Sequence, residues 1–120
     1  MRNLSGKTVL VTGAASGLGE AIARTFNDAG SFVIVADLNI REGERVARDV
    51  NGFFIETDVC DATAVEAMIA TCVSKVGRLD ILINNAGIES ENTPLHECTL
   101  ENWNKVIGVN LNGVFFGLKF

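Results

Sequence analysis

Short apolar runs and amphipathic stretches alternate along the whole chain. Lys7-Thr8-Val9-Leu10-Val11-Thr12 is a β-rich run that ends at Gly13. Leu18, Ala21, Ile22, Thr25, Phe26 and Ala29 then recur at helical spacing, and Gly30 supplies a stop. Phe32 to Ala36 reads as a second strand. Asn39 with Glu42 gives an N-cap and its partner, opening a helix that ends near Asn51-Gly52. Phe53-Phe54-Ile55 is a third strand. Asp61 caps a helix whose apolar positions are Val65, Met68, Ile69, Cys72, Val73 and Val76, closed by Gly77. Leu79 to Ile83 is a fourth strand. A polar loop, Ile88 to Cys98, leads to Thr99, which caps a last helix with the apolar stripe Trp103, Val106, Ile107, Leu111, Val114, Phe115 and Leu118.

Strands that are apolar throughout are buried on both faces, and helical connections between them make parallel neighbours joined by right-handed crossovers. The expected fold is therefore α/β, a doubly wound parallel sheet of Rossmann type that stops after about four strands. Residues 1–120 form one dinucleotide-binding domain on this reading, without internal repeat or linker.

Composition narrows the functional classes. The 120 residues are 48% hydrophobic, with twelve glycines, one proline and a formal net charge of −5. A nucleic-acid binder normally carries a basic face, so nucleic acid is not the expected partner. No apolar run approaches the ~20 residues that span a bilayer. The N-terminus lacks the layout of a signal peptide, so the expected location is cytoplasmic. Cys60, Cys72 and Cys98 match no zinc or redox spacing and read as reduced thiols that pack rather than react. The single histidine, His96, has no metal-ligating cluster beside it in sequence, and no metal site is expected.

The chemistry lies between the first strand and the helix after it, in Thr12-Gly13-Ala14-Ala15-Ser16-Gly17-Leu18-Gly19. Gly13 permits a tight turn out of the strand. Gly17 lets a pyrophosphate approach the backbone, and Gly19 lets the helix lie close on the sheet. The helix start aims free N–H groups and the positive end of its dipole at the phosphates, and Ser16 adds a hydroxyl donor. A glycine trio by itself also fits ordinary turns; its place between a strand and a helix in a βαβ unit favours the phosphate cradle. Asp37 follows the second strand directly. A carboxylate there accepts hydrogen bonds from adenosine ribose hydroxyls and repels a 2′-phosphate, which favours NAD over NADP. Leu38 and Ser16 offer no cation for that phosphate, although Arg41 stands close by. The plainer reading of Asp37 is a cap for the next helix.

The spacing T-G-x-x-x-G-x-G resembles the cofactor loop of the classical short-chain dehydrogenase/reductase family. Further segments match it in order. Asp58-Val59 after the third strand corresponds to the pair that lines the family's adenine pocket. Asn84-Asn85-Ala86-Gly87 after the fourth matches its N-N-A-G segment, where an Asn braces the sheet and the Ala-Gly backbone passes the cofactor ribose. Asn110 shares a helix face with Trp103, Ile107 and Val114. It stands where the family has a catalytic Asn whose backbone carbonyl holds a water in the proton relay. An amide hydrogen-bonded to neighbouring backbone is the simpler reading.

The resemblance covers essentially the whole chain. It implies an NAD-dependent oxidoreductase that moves hydride between nicotinamide and an alcohol or carbonyl substrate. The Ser, Tyr and Lys that complete the family's active site are not found here, and the chain has no tyrosine. The expectation is thus a truncated, cofactor-binding half, inactive alone, with an open fourth-strand edge and uncovered apolar helix faces. A substrate would be a partner only if the missing half were supplied. Homo-oligomers are a further expectation, because the last helix resembles one that relatives use to assemble. The alternative is a non-catalytic module that binds NAD or pairs with a full-length homologue.

Overall fold

The computed structural model describes residues 3–120. Strand β1 (Thr8–Thr12) leads into helix α1 (Gly17–Asp28), then β2 (Phe32–Asp37), α2 (Ile40–Asp49), β3 (Phe53–Glu56), α3 (Ala62–Val76) and β4 (Ile81–Ile83). The four strands form one parallel sheet in the order β3-β2-β1-β4. The chain winds outward from β1 through β2 to β3, then crosses back to place β4 on the other side of β1. The carboxyl ends of β1 and β4 therefore diverge in connection, which is where open α/β sheets bind ligands.

Two apolar layers hold the sheet. On one face Val9, Val11, Val33 and Val35 meet Ala23 of α1 and Val46, Ala47 and Val50 of the α2 region. On the other, Leu10 and Ile34 meet Val65, Met68 and Cys72 of α3. β1 is buried along its whole length and β2 from Val33 to Ala36. Both faces of β1 are covered, as continuous apolar runs require. β3 and β4 are only half-buried, which corrects the expectation of full burial for them: each has a strand neighbour on one side alone.

Capping follows the residue chemistry. Asn39 accepts the Glu42 N–H to start α2, and Asp61 accepts those of Thr63 and Ala64 to start α3. Gly77 ends α3 at φ 86°, a left-handed conformation that favours glycine. β4 begins two residues later than the apolar pattern predicts. Ahead of it the Asp80 carboxylate accepts the Thr8 N–H at 2.8 Å, tying the start of β1 to that approach.

Two amphipathic stripes differ from expectation. In α1 the sheet-facing positions are Gly19, Ile22, Ala23 and Phe26, while Leu18 is 72% exposed. The last helix is not regular. α4 (Leu100–Ile107), capped by Thr99, passes into a π-turn at Gly108–Asn112 and continues as α5 (Gly113–Lys119). The π-turn shifts the phase, so Gly113, Phe116 and Gly117 turn inward. Trp103, Leu111, Phe115 and Leu118 of the expected stripe stay exposed. The thiols are free: Cys72 lies in the core, Cys60 is exposed and Cys98 is half-buried. His96 sits in an exposed 3₁₀ turn, Leu95–Glu97. Among the described residues no helix is long and apolar enough to cross a membrane, and no three His, Cys, Asp or Glu side chains are grouped to hold a metal ion.

Candidate functional site

The loop after β1 is shaped by three different glycine requirements. Gly13 has φ 64°, and a Cβ there would lie 2.8 Å from Ala86 Cα. At Gly19 a Cβ would lie 2.1 Å from the Gly13 carbonyl oxygen and 2.5 Å from Asn85 Nδ2. Gly17 differs: its φ is 56°, yet nothing stands within 4 Å of the Cβ position. Two glycines thus allow the protein to close on itself, and the third faces open space. α1 begins at that third glycine. Ser16 precedes it in an extended conformation and makes no side-chain capping bond. The first N–H groups of α1 have no partners within the helix and mark the positive end of its dipole.

The loop is clamped to the segment after β4. Asn85 Nδ2 donates to the carbonyls of Thr12 and Gly13 at 2.9 and 3.2 Å. Thr12 Oγ1 accepts the N–H groups of Asn85 and Ala86, both at 3.1 Å, and donates to the Ile83 carbonyl. In sequence Thr12 reads only as the first residue of the T-G-x-x-x-G-x-G loop, without this clamping role. A hydroxyl at the end of a buried strand, facing the next strand's exit, is the signal that could have found it.

Asp37 ends β2 beside the same loop. Its Oδ2 accepts the Ala15 N–H at 3.0 Å and its Oδ1 accepts the Asn39 N–H at 2.9 Å. The carboxylate therefore bridges the glycine loop to the cap of α2, and Asn39, not Asp37, is the capping residue. An ionised carboxylate has about four acceptor positions. The two bonds named leave room for hydroxyl donors.

These residues border a cleft of about 500 Å³ at the carboxyl end of the sheet. Gly13, Ser16, Gly17, Leu18 and Gly19 form one wall, and Asp37, Asp58 and Val59 a second. Asn85, Ala86 and Gly87 form the third. Leu18 is thus exposed on α1 because it borders the cleft. Thr57, Ile88 and Val109 also line it and were not expected there, as does Leu38, weighed in sequence only for its lack of a cation. Thr57 and Ile88 lie just past β3 and β4, and the ends of parallel strands converge here. Asp58 Oδ1 accepts the Cys60 N–H, fixing the turn that brings Val59 against Gly113.

Asn110 lies within the π-turn and does not itself line the cleft. Its side chain accepts the Ile88 N–H and donates to the Ile88 carbonyl, both at 2.8 Å. It therefore pins the backbone just beyond Gly87, with its amide tied to main chain as the simpler reading expected.

Behind the first wall, Glu20 in the first turn of α1 receives Arg45 of α2 and Arg24 of its own helix. Hydrogen bonds from Arg45, then Arg24, hold the Glu20 carboxyl down at about 2.

A model of the short chain dehydrogenase family matches residues 7–120. The chain belongs to the short-chain dehydrogenase family. The short chain dehydrogenase/reductase astE of Aspergillus oryzae is 41% identical over 124 residues, spanning 98% of this chain and 48% of that protein. The mitochondrial borneol dehydrogenase of Lavandula x intermedia is 40% identical over 120 residues, spanning 99% and 46%. Among solved structures, the 3-ketoacyl-(acyl-carrier-protein) reductase of Brucella melitensis, complexed with NADH, superposes with a TM-score of 0.93 at 34% identity. That match covers 97% of this chain and 48% of the reductase. The chain spans just under half the length of these short-chain dehydrogenase relatives. The parallel sheet with helices on both faces is the Rossmann-like fold expected from sequence.

Proposed function

We propose that the cleft binds NAD(H) and that the chain is the cofactor-binding half of an oxidoreductase acting on an alcohol or carbonyl substrate. The single observation that carries this reading is the pairing of two features on one cleft. The loop opens at Gly17, where no atom fills the Cβ position, and the Asp37 carboxylate stands beside it. A diphosphate fits in front of Gly17, against the N–H groups of the α1 start, with Ser16 as a further donor. Asp37 takes the adenosine ribose hydroxyls on its remaining acceptor positions and disfavours a 2′-phosphate. Asp58 and Val59 border the adenine end. Asn85, Ala86 and Gly87 carry the backbone past the second ribose.

Bound NAD(H) supplies the hydride acceptor or donor. What this chain contributes is placement. The Asn85 and Thr12 clamps fix the cleft floor, and Asn110 holds the Ile88 peptide at the nicotinamide end. Asn110 stands where the family has its catalytic Asn, and on that resemblance its backbone carbonyl would hold a water for proton transfer once the rest of the active site is in place. The relatives support the substrate class: one is named for the alcohol borneol, and another is a ketoacyl reductase complexed with NADH.

Isothermal titration of the protein with NADH and NADPH tests the reading. NADH is expected to bind more tightly. Equal or tighter binding of NADPH would overturn the role of Asp37, and binding of neither would overturn the function.

A further inference from the structure

Beyond the cleft, α1 and α2 hold three carboxylates and two guanidiniums in one largely half-buried cluster. Arg45 meets Glu20 with a two-point fork, Nη1 to Oε1 at 3.1 Å and Nη2 to Oε2 at 3.0 Å. Its Nε donates to Glu42 at 2.7 Å. Arg24 joins Glu20 to Asp49, with 2.7 Å bonds to each. Isolated surface ion pairs contribute little; a forked pair within a network is the exception.

The path these bonds trace is what matters. The Ala15 N–H binds Asp37, and Asp37 binds the Asn39 N–H. Asn39 Oδ1 accepts the Glu42 N–H. The Glu42 carboxylate binds Arg45, and Arg45 forks onto Glu20. The Glu20 N–H donates to the Ser16 carbonyl, one residue beyond Ala15. The links close a ring around the corner where the glycine loop, the end of β2 and the start of α2 meet. Asp37 reaches two backbone N–H groups on different elements. The Asn39 bond is local, two residues along the chain; the Ala15 bond crosses to the loop ahead of α1 and is the one that a shift of α1 against α2 would stretch. Arg45 spans the two helices with its fork onto Glu20, and Arg24 spans them a second time through Asp49.

We infer that Arg45, through Glu20 and Glu42, is a positioning residue that holds Asp37 in register for the adenosine ribose. Arg45 does not line the cleft. Any effect it has on binding is therefore indirect, through Asp37, and falls on the ribose end beyond any effect on stability. The inference rests on the reading that the cleft takes NAD(H).

The test is a thermodynamic cycle between protein and ligand. NADH and its analogue lacking the adenosine 2′-hydroxyl are titrated into the wild type, Arg45→Met and Arg45→Lys. Circular dichroism first establishes a temperature at which each is folded. The wild type should prefer NADH by about tenfold, the order of one hydrogen bond to a carboxylate. Arg45→Met should cut that preference to about threefold or less. Arg45→Lys, which keeps the charge and loses the fork, should fall between them. A merely structural Arg45 would weaken both ligands alike and leave their ratio unchanged; an undiminished ratio in Arg45→Met overturns the inference. If Arg45→Met does not fold, Arg45→Lys decides by the same ratio. A wild type that binds NADH without preferring it overturns the inference and the role of Asp37 together. A wild type that binds no NADH overturns the functional reading itself.

Discussion

Asn110 closes both ends of its amide on one peptide, accepting the Ile88 N–H and donating to the Ile88 carbonyl at 2.8 Å each. The residues are far apart in sequence, and the bonds join the π-turn to the exit of β4. Asn110→Leu should leave that peptide without protein partners and cost about 1 kcal/mol. Hydrogen exchange at the Ile88 amide should quicken in the variant while the amides of β1 stay protected. Unchanged exchange at Ile88 would mean that the pair does not hold the segment.

The glycines of the loop separate folding from binding. Gly19→Ala forces a Cβ onto the Gly13 carbonyl and the Asn85 amide, and should destabilise the chain by about 3 kcal/mol. Gly17→Ala meets no protein atom and carries only the positive-φ penalty, about 1–2 kcal/mol. Its Cβ would occupy the place assigned to the diphosphate. Urea unfolding and NADH titration on both variants should show Gly19→Ala failing chiefly in stability and Gly17→Ala chiefly in affinity. A Gly17→Ala protein with wild-type affinity would remove the diphosphate from this position.

Acid should act on the α1–α2 cluster. The folded pKa of Glu20 is about 2, against an ordinary value of 4.5, chiefly through hydrogen bonds from Arg45. The folded chain therefore resists protonation there more than the unfolded chain does. The resulting stabilisation is complete above about 4.5 and is lost as pH falls through about 2. Asp80 is shifted the same way, first by its bond from Arg78 and then by the Thr8 N–H. Urea midpoints between pH 7 and pH 3 should fall less in Glu20→Gln than in the wild type. Parallel pH profiles would show that Glu20 contributes nothing to acid sensitivity.

The sheet and the glycine loop were legible because their constraints are local. A buried parallel strand is a continuous apolar run, and the turns at Gly13 and Gly77 need residues that tolerate positive φ. Asp37 and the segment from Asn85 to Gly87 were legible as residues at strand ends, where such a sheet gathers its site. The π-turn was not. Its extra residue is held by contacts made elsewhere in the chain: Gly108 against Cys60, Gly113 against Val59, and Asn110 on Ile88. The paired glycines Gly108 and Gly113 were the available sign of close approach. Periodicity found the apolar residues Leu111, Phe115 and Leu118, and these lie exposed, in line with the expectation of uncovered apolar helix faces. The Arg45–Glu20 fork joins residues of different helices, and no spacing rule announces it.

Asp37 gives the most direct test of the whole account. Calorimetric titration of Asp37→Ala with NADH and NADPH separates the carboxylate's attraction for ribose from its repulsion of phosphate. NADH should bind at least about tenfold more weakly than to the wild type, the loss of one charge-assisted hydrogen bond or more. NADPH should bind no more weakly than before, or gain. An Asp37→Ala protein that holds NADH as tightly as the wild type would contradict the account at its centre.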